Sequence, residues 1–197
     1  MTTPKTPARA HAGRNSIRII GGRWRGRRIA FADLPELRPT PDRVRETLFN
    51  WLQQAIQDAR CLDLFAGSGA LGLEALSRGA REAVFVEQAA AAAAALREQL
   101  VRLGAAAQAE VHQCGAERFL RTAAAPFDVV FLDPPYGRDA LGHFLPMIET
   151  GQWLAPGAHI YLEGERAAGV PPLPAHWRLL KSKSAGEVGY HLARKEL

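Results

Sequence analysis

The chain has 197 residues, 47% of them hydrophobic, which is enough for one well-buried α/β domain with an appendage and too little for two full domains. No apolar run approaches the roughly 20 residues that span a bilayer, and the start, Met1-Thr2-Thr3-Pro4-Lys5, lacks an apolar signal core, so a cytoplasmic protein is expected. The net charge of +5 is unevenly placed: residues 1–45 carry 11 Lys/Arg against 3 Asp/Glu and the remainder 14 against 17, so a near-neutral body with a basic front points to a polyanionic partner.

Residues 1–15 mix Pro, Ala, Thr and basic residues without apolar periodicity and predict a disordered basic tail. Such a tail accounts for Lys5, Arg9 and Arg14, but not for the cluster that follows. Ile17, Ile19 and Ile20 read as a short strand, Gly21-Gly22 as a turn and Arg23-Trp24-Arg25-Gly26-Arg27-Arg28-Ile29 as a return strand, so residues 16–37 form a basic β-hairpin extension. Its arginines suit phosphates, and Trp24 either stacks on a base or packs the hairpin onto the body.

Thr40 before Pro41 supplies N-cap and first-turn residues for a helix, and Val44, Leu48, Trp51, Leu52, Ala55 and Ile56 recur at helical spacing. Arg38, Arg43 and Arg45 sit at or near its amino end, where cations oppose the helix dipole, which favours a ligand for them over a local structural role. The remainder, 38–197, reads as one domain.

Cys61-Leu62-Asp63-Leu64-Phe65 is a strand. Gly67, Gly69 and Gly72 then satisfy GxGxxG before a helix ending near Arg78-Gly79, so a nucleotide-like cofactor passes close to that backbone. Ala83–Glu87 is the next strand, and Glu87, 20 residues after Gly67, stands where a carboxylate accepts both ribose hydroxyls of an adenosine. Gln88–Leu103 is helical, including an alanine run assigned no function, and Gly104 is its C-cap. A strand over 108–114 and a helix over 116–124 follow. Cys61 and Cys114 lie in apolar strand-like segments without a CxxC spacing and read as reduced core residues rather than metal ligands.

Phe127-Asp128-Val129-Val130-Phe131-Leu132-Asp133-Pro134-Pro135-Tyr136 is the most explicit stretch: a strand buried on both faces that stops at a carboxylate, then two prolines that forbid pairing and an immediate helix. Its carboxyl end stays open where α/β sheets bind ligands. Asp133 and the Pro134 carbonyl can accept the two N–H bonds of an amino group on a flat ring while Tyr136 stacks on that ring. A helix (139–149), a strand (158–163), a proline-rich loop and a pair of strands around 177–181 and 188–192 complete the chain, with Lys181, Lys183 and Gly186 between that pair. The strand–helix alternation predicts an α/β, doubly wound, mostly parallel sheet closed by a C-terminal antiparallel hairpin.

Two readings fit the glycine loop with Glu87. A nicotinamide dehydrogenase would place the glycines at a pyrophosphate, whereas a methyltransferase would place them beside the methionine and ribose of S-adenosyl-L-methionine. Asp63 would repel a pyrophosphate yet attract a methionine ammonium, and hydride transfer needs no amine cradle like that at Asp133.

At these residues the sequence also resembles a known family. Asp133-Pro134-Pro135-Tyr136 is a form of the (Asp/Asn)-Pro-Pro-(Tyr/Phe) motif of amino-group methyltransferases, and Asp63-Leu64-Phe65-Ala66-Gly67-Ser68-Gly69 is similar to their cofactor loop. Arg18–Gly26, Arg38-Pro39-Thr40 with Asp42–Trp51, and Gly69–Arg78 resemble the RsmD family of bacterial 16S ribosomal RNA guanine(966)-N(2)-methyltransferases, with similarity from about Ser16 to the carboxyl end. The resemblance implies a Rossmann-like class I fold and a pocket for S-adenosyl-L-methionine made by Asp63, Phe65, Ala66, Gly67, Ser68, Gly69, Glu87, Gln88, Gly115 and Ala116. It implies Asp133, Pro134, Pro135 and Tyr136 as the catalytic corner, no metal, and 16S rRNA in the small subunit or its assembly intermediate as substrate, gripped by Arg23, Trp24, Arg25, Arg27, Arg28, Arg38, Arg43 and Arg45. A monomer is expected. Gly115 stands where an acidic or amide residue usually holds the adenine amine, and Ala89 where a polar residue is frequent. The rivals are a DNA or RNA adenine-N6 methyltransferase, since the same corner accepts an adenine amine, and a non-catalytic RNA-binding assembly factor, which has no need of Asp63, Glu87 and Asp133 together.

Overall fold

A computed structural model describes residues 16–32, 40–135 and 140–196; the expected tail, Arg38 and Tyr136 lie outside the described residues. Two short strands, β1 (Ser16–Arg18) and β2 (Arg28–Ala30), pair antiparallel and precede helix α1 (Asp42–Trp51). The body then runs β3 (Arg60–Asp63), α2 (Ala70–Ser77), β4 (Glu82–Val86), α3 (Ala90–Arg102), β5 (Ala109–His112), α4 (Ala116–Leu120), β6 (Phe127–Leu132), α5 (Ala140–Thr150), β7 (Leu154–Glu165), β8 (Trp177–Ala185) and β9 (Val188–Lys195).

The seven body strands form one sheet in the order β5-β4-β3-β6-β7-β9-β8. β5, β4, β3, β6 and β7 are parallel, whereas β9 is antiparallel to β7 and β8 to β9. The order reverses direction between β3 and β6, so the crevice above their carboxyl ends is a topological switch point. Each central strand buries both faces, as a parallel sheet covered by helices requires. Cys61, Val129, Phe131 and Tyr161 pack with residues of α1, α2 and α3. Leu62, Val130, Leu132 and Ile160 pack with Phe119 and Leu120 of α4 and Leu145 and Ile148 of α5. Among the described residues, no helix is long and apolar enough to cross a membrane.

The expected elements are present, with instructive differences. β7 begins at Leu154 rather than at 158, because an irregularity in the ladder between Phe127 and Val129 lets the strand pass through Gly157 (φ 75°) before regular pairing at His159. Lys181 and Lys183 belong to β8 itself, and only Gly186-Glu187 separates it from β9. The N-terminal extension departs furthest. Gly21-Gly22 is not a hairpin turn and Arg23-Trp24-Arg25 is not a strand: Gly22–Trp24 is a 3-10 turn inside a longer connection. The connection closes on itself through Ile19 N–H to the Arg27 carbonyl (2.9 Å) and Gly26 N–H to the Ile19 carbonyl (2.8 Å).

Tertiary bonding imposes that shape. Glu74, on α2 and fully buried, accepts the amides of Ile20 (2.8 Å) and Gly21 (2.7 Å) and Arg78 Nε (2.7 Å). Ser77 Oγ accepts the Trp24 amide (3.0 Å) and donates to the Gly21 carbonyl (2.6 Å). A Cβ on Gly22 would run into the Ser77 carbonyl, so only glycine lets the loop lie this close to α2. Trp24 is 5% exposed and packs in the body's core.

Arg45, also with no exposed surface, lies beside Glu74 at 3.6 Å (Nη1 to Oε2). Its remaining donors reach the Thr40 carbonyl (3.2 Å), the Arg18 carbonyl (2.9 Å) and Asp42 Oδ1 (2.6 Å). Removing one partner of a buried ion pair strands the other in a low-dielectric interior. Glu74→Ala is therefore expected to lower the free energy of unfolding by about 3–5 kcal/mol. Denaturant titration measures it, with faster hydrogen exchange at the Ile20 and Gly21 amides; a loss under about 1 kcal/mol would show that the extension does not depend on this carboxylate.

Candidate active site

Side chains alternate faces along a strand. On β3, β6 and β7 the residues two positions before the strand-end acids, Cys61, Phe131 and Tyr161, all face the α1–α3 side, as does Phe85 on β4. The acids that continue this alternation are Asp63, Asp133, Glu163 and Glu87. Four neighbouring parallel strands thus carry carboxylates at or near their carboxyl ends along one edge of the sheet, in the spatial order Glu87, Asp63, Asp133, Glu163, with β7 running two residues past Glu163.

Each carboxylate has a different set of donors. Glu87 accepts the Gly67 amide (2.8 Å) and the Ala89 amide (2.6 Å), tying the glycine loop to the end of β4, and it remains partly open. Asp63, 2% exposed, accepts the Gly72 amide in the first turn of α2 (3.0 Å). Burial pushes its pKa up to about 7, against the lowering effect of the Gly72 bond, with further upward pressure from Asp133 and Glu87. Asp133 accepts the Thr40 hydroxyl at 3.2 Å. Its carboxyl is enclosed by protein although the residue keeps a solvent-facing edge, and this enclosure raises its pKa to about 6, opposed by the Thr40 bond. Glu163, 3% exposed, accepts the Tyr161 hydroxyl at 2.6 Å; burial and the neighbouring Asp133 push its pKa up to about 8.

The loop between β3 and α2 has Gly67 and Gly69 in the left-handed region (φ 51° and 76°), as the close turn requires. A side chain on Gly72 would run into the Phe85 ring, so that glycine serves packing of α2 on β4. Phe65 meets Phe144 edge-on at 5.1 Å, Ala66 and Ser68 are buried, and Gln88 is exposed. Gly115 precedes α4, with open space where a side chain would project, and Ala116 is the first residue of that helix. These residues therefore lie in the segments that follow the carboxyl ends of β3, β4 and β5. Pro134 is buried and Pro135 exposed immediately after Asp133.

The residues expected to meet nucleic acid divide. Arg23, Arg25, Arg27, Arg28 and Arg43 are exposed, Arg23 stacking over the Trp24 ring at 4.2 Å. Trp24 and Arg45 are corrections: the Trp24 ring is buried in the core and Arg45 spends its donors inside the protein, so neither presents a face to a ligand. Thr40 is a third correction. Pro41 takes the N-cap position without a side-chain cap bond, because the Thr40 hydroxyl is directed to Asp133 instead. An open cleft of about 390 Å³, lined by Ser16, Arg18, Arg28, Thr40, Pro41 and Asp42 among others, lies directly behind that threonine.

Sequence reasoning missed Thr40 and Glu163 as site residues. The signal for Glu163 was present: an acid at the end of the strand next to that of Asp133, two residues after a core-facing tyrosine. No local pattern points to Thr40, whose contact spans 93 positions.

The family described as Conserved hypothetical protein 95 matches residues 17–194. "Ribosomal RNA small subunit methyltransferase D" of Escherichia coli (strain K12) is 50% identical over 186 residues, covering 94% of this chain and 93% of that protein. The protein of the same name from Haemophilus influenzae is 44% identical, covering 91% and 94%. The solved structure of yhhF from Escherichia coli superposes with a TM-score of 0.86 at 47% identity, covering 92% of this chain and 99% of that one. The sheet order, the glycine loop and these matches agree, and the chain belongs to the Conserved hypothetical protein 95 family, the RsmD family, built on the class I methyltransferase fold.

Proposed function

We propose that this protein transfers the methyl group of S-adenosyl-L-methionine to the exocyclic N2 of guanine 966 of 16S rRNA, in the small ribosomal subunit or an assembly intermediate. The observation that carries the reading is Asp133: an enclosed carboxylate at the switch point, held by one hydroxyl and followed by a carbonyl that a second proline frees from pairing. The relatives' printed name supports ribosomal RNA as the substrate class.

The residues present fit the cofactor. Asp63 and Glu87 place negative charge beside the glycine loop, complementary to a methionine ammonium and a sulfonium, while Asp63 already occupies the first-turn amide of α2 that a pyrophosphate would need. Glu87 retains free lone pairs for ribose hydroxyls beyond its two backbone bonds. Phe65, Ala66, Gly67, Ser68 and Gly69 bound the pocket on one side, Gln88 on another, and the space beside Gly115 and Ala116 accommodates a flat adenine with backbone partners. S-adenosyl-L-methionine, when bound, supplies an electrophilic methyl group on sulfur.

The guanine N2 is a weak nucleophile because its lone pair is delocalised into the ring. Asp133 and the Pro134 carbonyl accept its two N–H bonds, raise its electron density and fix its direction. Orientation of this kind reaches effective molarities on the order of 10⁵ M or more. The base must leave its stack to enter, and Tyr136, three residues on from Asp133, is assigned the replacement stacking surface. Arg23, Arg25, Arg27, Arg28 and Arg43 are assigned to flanking phosphates. Arg18 and Arg28 border the cleft next to Thr40, which places phosphate-binding charge beside the acceptor corner.

Four outcomes are expected. Labelled methyl from S-adenosyl-L-methionine should appear as N2-methylguanosine when under-methylated small subunits are the substrate; label in N6-methyladenosine would move the assignment to an adenine enzyme. Asp133→Ala should lower kcat by about 10²–10³-fold with cofactor affinity retained in calorimetry. Because Asp133 works ionised and its pKa is raised to about 6, kcat should fall as pH drops through that value and stay level above it on the acid side of neutrality. Replacing Arg25, Arg27 and Arg28 together should weaken RNA binding and reduce the slope of log K against log salt by roughly 0.7–0.9 per lost contact; an unchanged slope would remove these arginines from the interface.

A further inference from the structure

Arg18 and Arg28 of the N-terminal extension border the acceptor corner on one side, and the strand register shows what stands on the other. Directly opposed residues of paired strands point to the same face of a sheet. Leu132 pairs with Leu162, so Asp133 follows beside Glu163; Glu163 pairs with Tyr190 of β9, and Tyr190 with Lys183 of β8. One row therefore crosses the sheet from Asp133 through Glu163 and Tyr190 to Lys183. The row before it runs Phe131, Tyr161, Leu192 and Lys181. With neighbouring strands about 4.8 Å apart, the Lys183 position lies three strands, or about 14 Å, from Asp133.

Helix α1 covers the inner part of both rows. Phe49 lies against Phe131 (ring centroids 5.9 Å) and Trp51 stacks on Tyr190 (5.5 Å), so the helix reaches as far as β9. β8 is the last strand in the sheet order, beyond that cover, and there Lys181 and Lys183 are exposed. The Lys183 ammonium stands 6.0 Å from the ring centroid of the half-buried Trp51. Arg43, Thr47 and Trp51 recur every four residues and share one stripe of α1. Arg43, also exposed, stands at the end of that stripe next to Thr40 and the corner. The extension lies on the opposite flank: it is bonded to α2, which packs on β3 and β4, whereas β8 lies past β7 and β9 on the other side of β6.

Lysines on an edge strand also discourage pairing with other chains. That role is met from either face of the strand; it requires neither that both lysines share the face of the acceptor acid nor that one of them meets the tryptophan at the helix margin. A base turned into the corner, by contrast, leaves a phosphate on each side of itself, and a strand held on one side only can return the base to its stack.

We propose, resting on the rRNA methyltransferase reading, that Lys181 and Lys183, with Arg43, form a second phosphate-binding face that holds the RNA backbone on the side of the target base opposite to the N-terminal extension. The two ammonium groups act as point charges on the backbone and read no base, so they add affinity without sequence preference.

The test uses K181Q/K183Q and K181R/K183R in the full chain, with naked 16S rRNA as ligand. Losing two phosphate contacts in K181Q/K183Q should weaken binding by about tenfold or more at 0.1 M salt and lower the slope of log K against log salt by roughly 1.4–1.8, whereas K181R/K183R should keep the parent's affinity and slope. In methyl transfer to under-methylated small subunits, KM should rise in K181Q/K183Q with kcat and cofactor affinity unchanged, because the lysines bind ground state and transition state alike. Unchanged affinity and slope in K181Q/K183Q, or an equal loss in K181R/K183R, would overturn the proposal.

A second readout needs no variant, and it decides the matter should K181Q/K183Q aggregate for want of edge charges. Amine-reactive labelling of Lys181 and Lys183 in the parent protein, read by mass spectrometry, should be suppressed by bound 16S rRNA. Full labelling in that complex would overturn the proposal. Protection by small subunits but not by naked rRNA would assign the face to a ribosomal protein and overturn it equally. Protection by naked rRNA in an enzyme that methylates another base would leave the proposal standing and the substrate assignment in error.

Discussion

A guanidinium with no exposed surface has only protein acceptors within reach, and Arg45 uses them in a way that assembles the molecule, although its Nη1 makes no hydrogen bond among the described residues and is held beside Glu74 by charge. Its Nη2 reaches the Arg18 carbonyl of the N-terminal extension and Asp42 at the start of α1, its Nε reaches the Thr40 carbonyl, and Nη1 faces Glu74 of α2. Glu74 in turn receives the amides of Ile20 and Gly21. Arg45 and Glu74 therefore hold together three segments far apart in sequence. The desolvation cost of burying both ions ties each to the partners the other segments supply, and so makes the arrangement specific in geometry.

That geometry reaches the site through Thr40. With its carbonyl held by Arg45, the threonine hydroxyl is presented to Asp133 rather than to the first turn of α1. The same docking sets Arg18 and Arg28 at the edge of a cleft ending at Thr40. The extension is thus both a carrier of exposed arginines and one wall of the cleft that Thr40 lines.

The corner belongs to a row of acids. Glu87, Asp63, Asp133 and Glu163 lie at or near the carboxyl ends of four adjacent parallel strands, and each is handled separately: two backbone amides for Glu87, one helix amide for Asp63, a threonine for Asp133, a tyrosine for Glu163. Burial raises the pKa of Asp63, Asp133 and Glu163 alike. A row of acids of this kind disfavours a phosphate-rich ligand at the glycine loop.

Much of this was legible in the residues. The buried run Phe127–Leu132 ending in Asp133-Pro134-Pro135, the glycine spacing after Asp63, and Glu87 twenty residues on from Gly67 determined the parallel sheet, its open edge and three of its four acids, because apolar periodicity and proline chemistry act locally. Local rules misplaced the residues whose partners are distant. Thr40 before Pro41 has every mark of a helix cap, Gly21-Gly22 of a hairpin turn and Arg45 of a surface cation, yet Asp133, Glu74 and Ser77 claim them across 29 to 93 positions. Which strand-end acid stands beside which was likewise decided by the strand order, β3 next to β6 and β6 next to β7. Sequence alone thus determined which groups the chain carries and which strands end in them. Only the tertiary structure decided which donor each carboxylate receives, because a buried charge takes the best partner the fold brings within reach rather than the nearest along the chain.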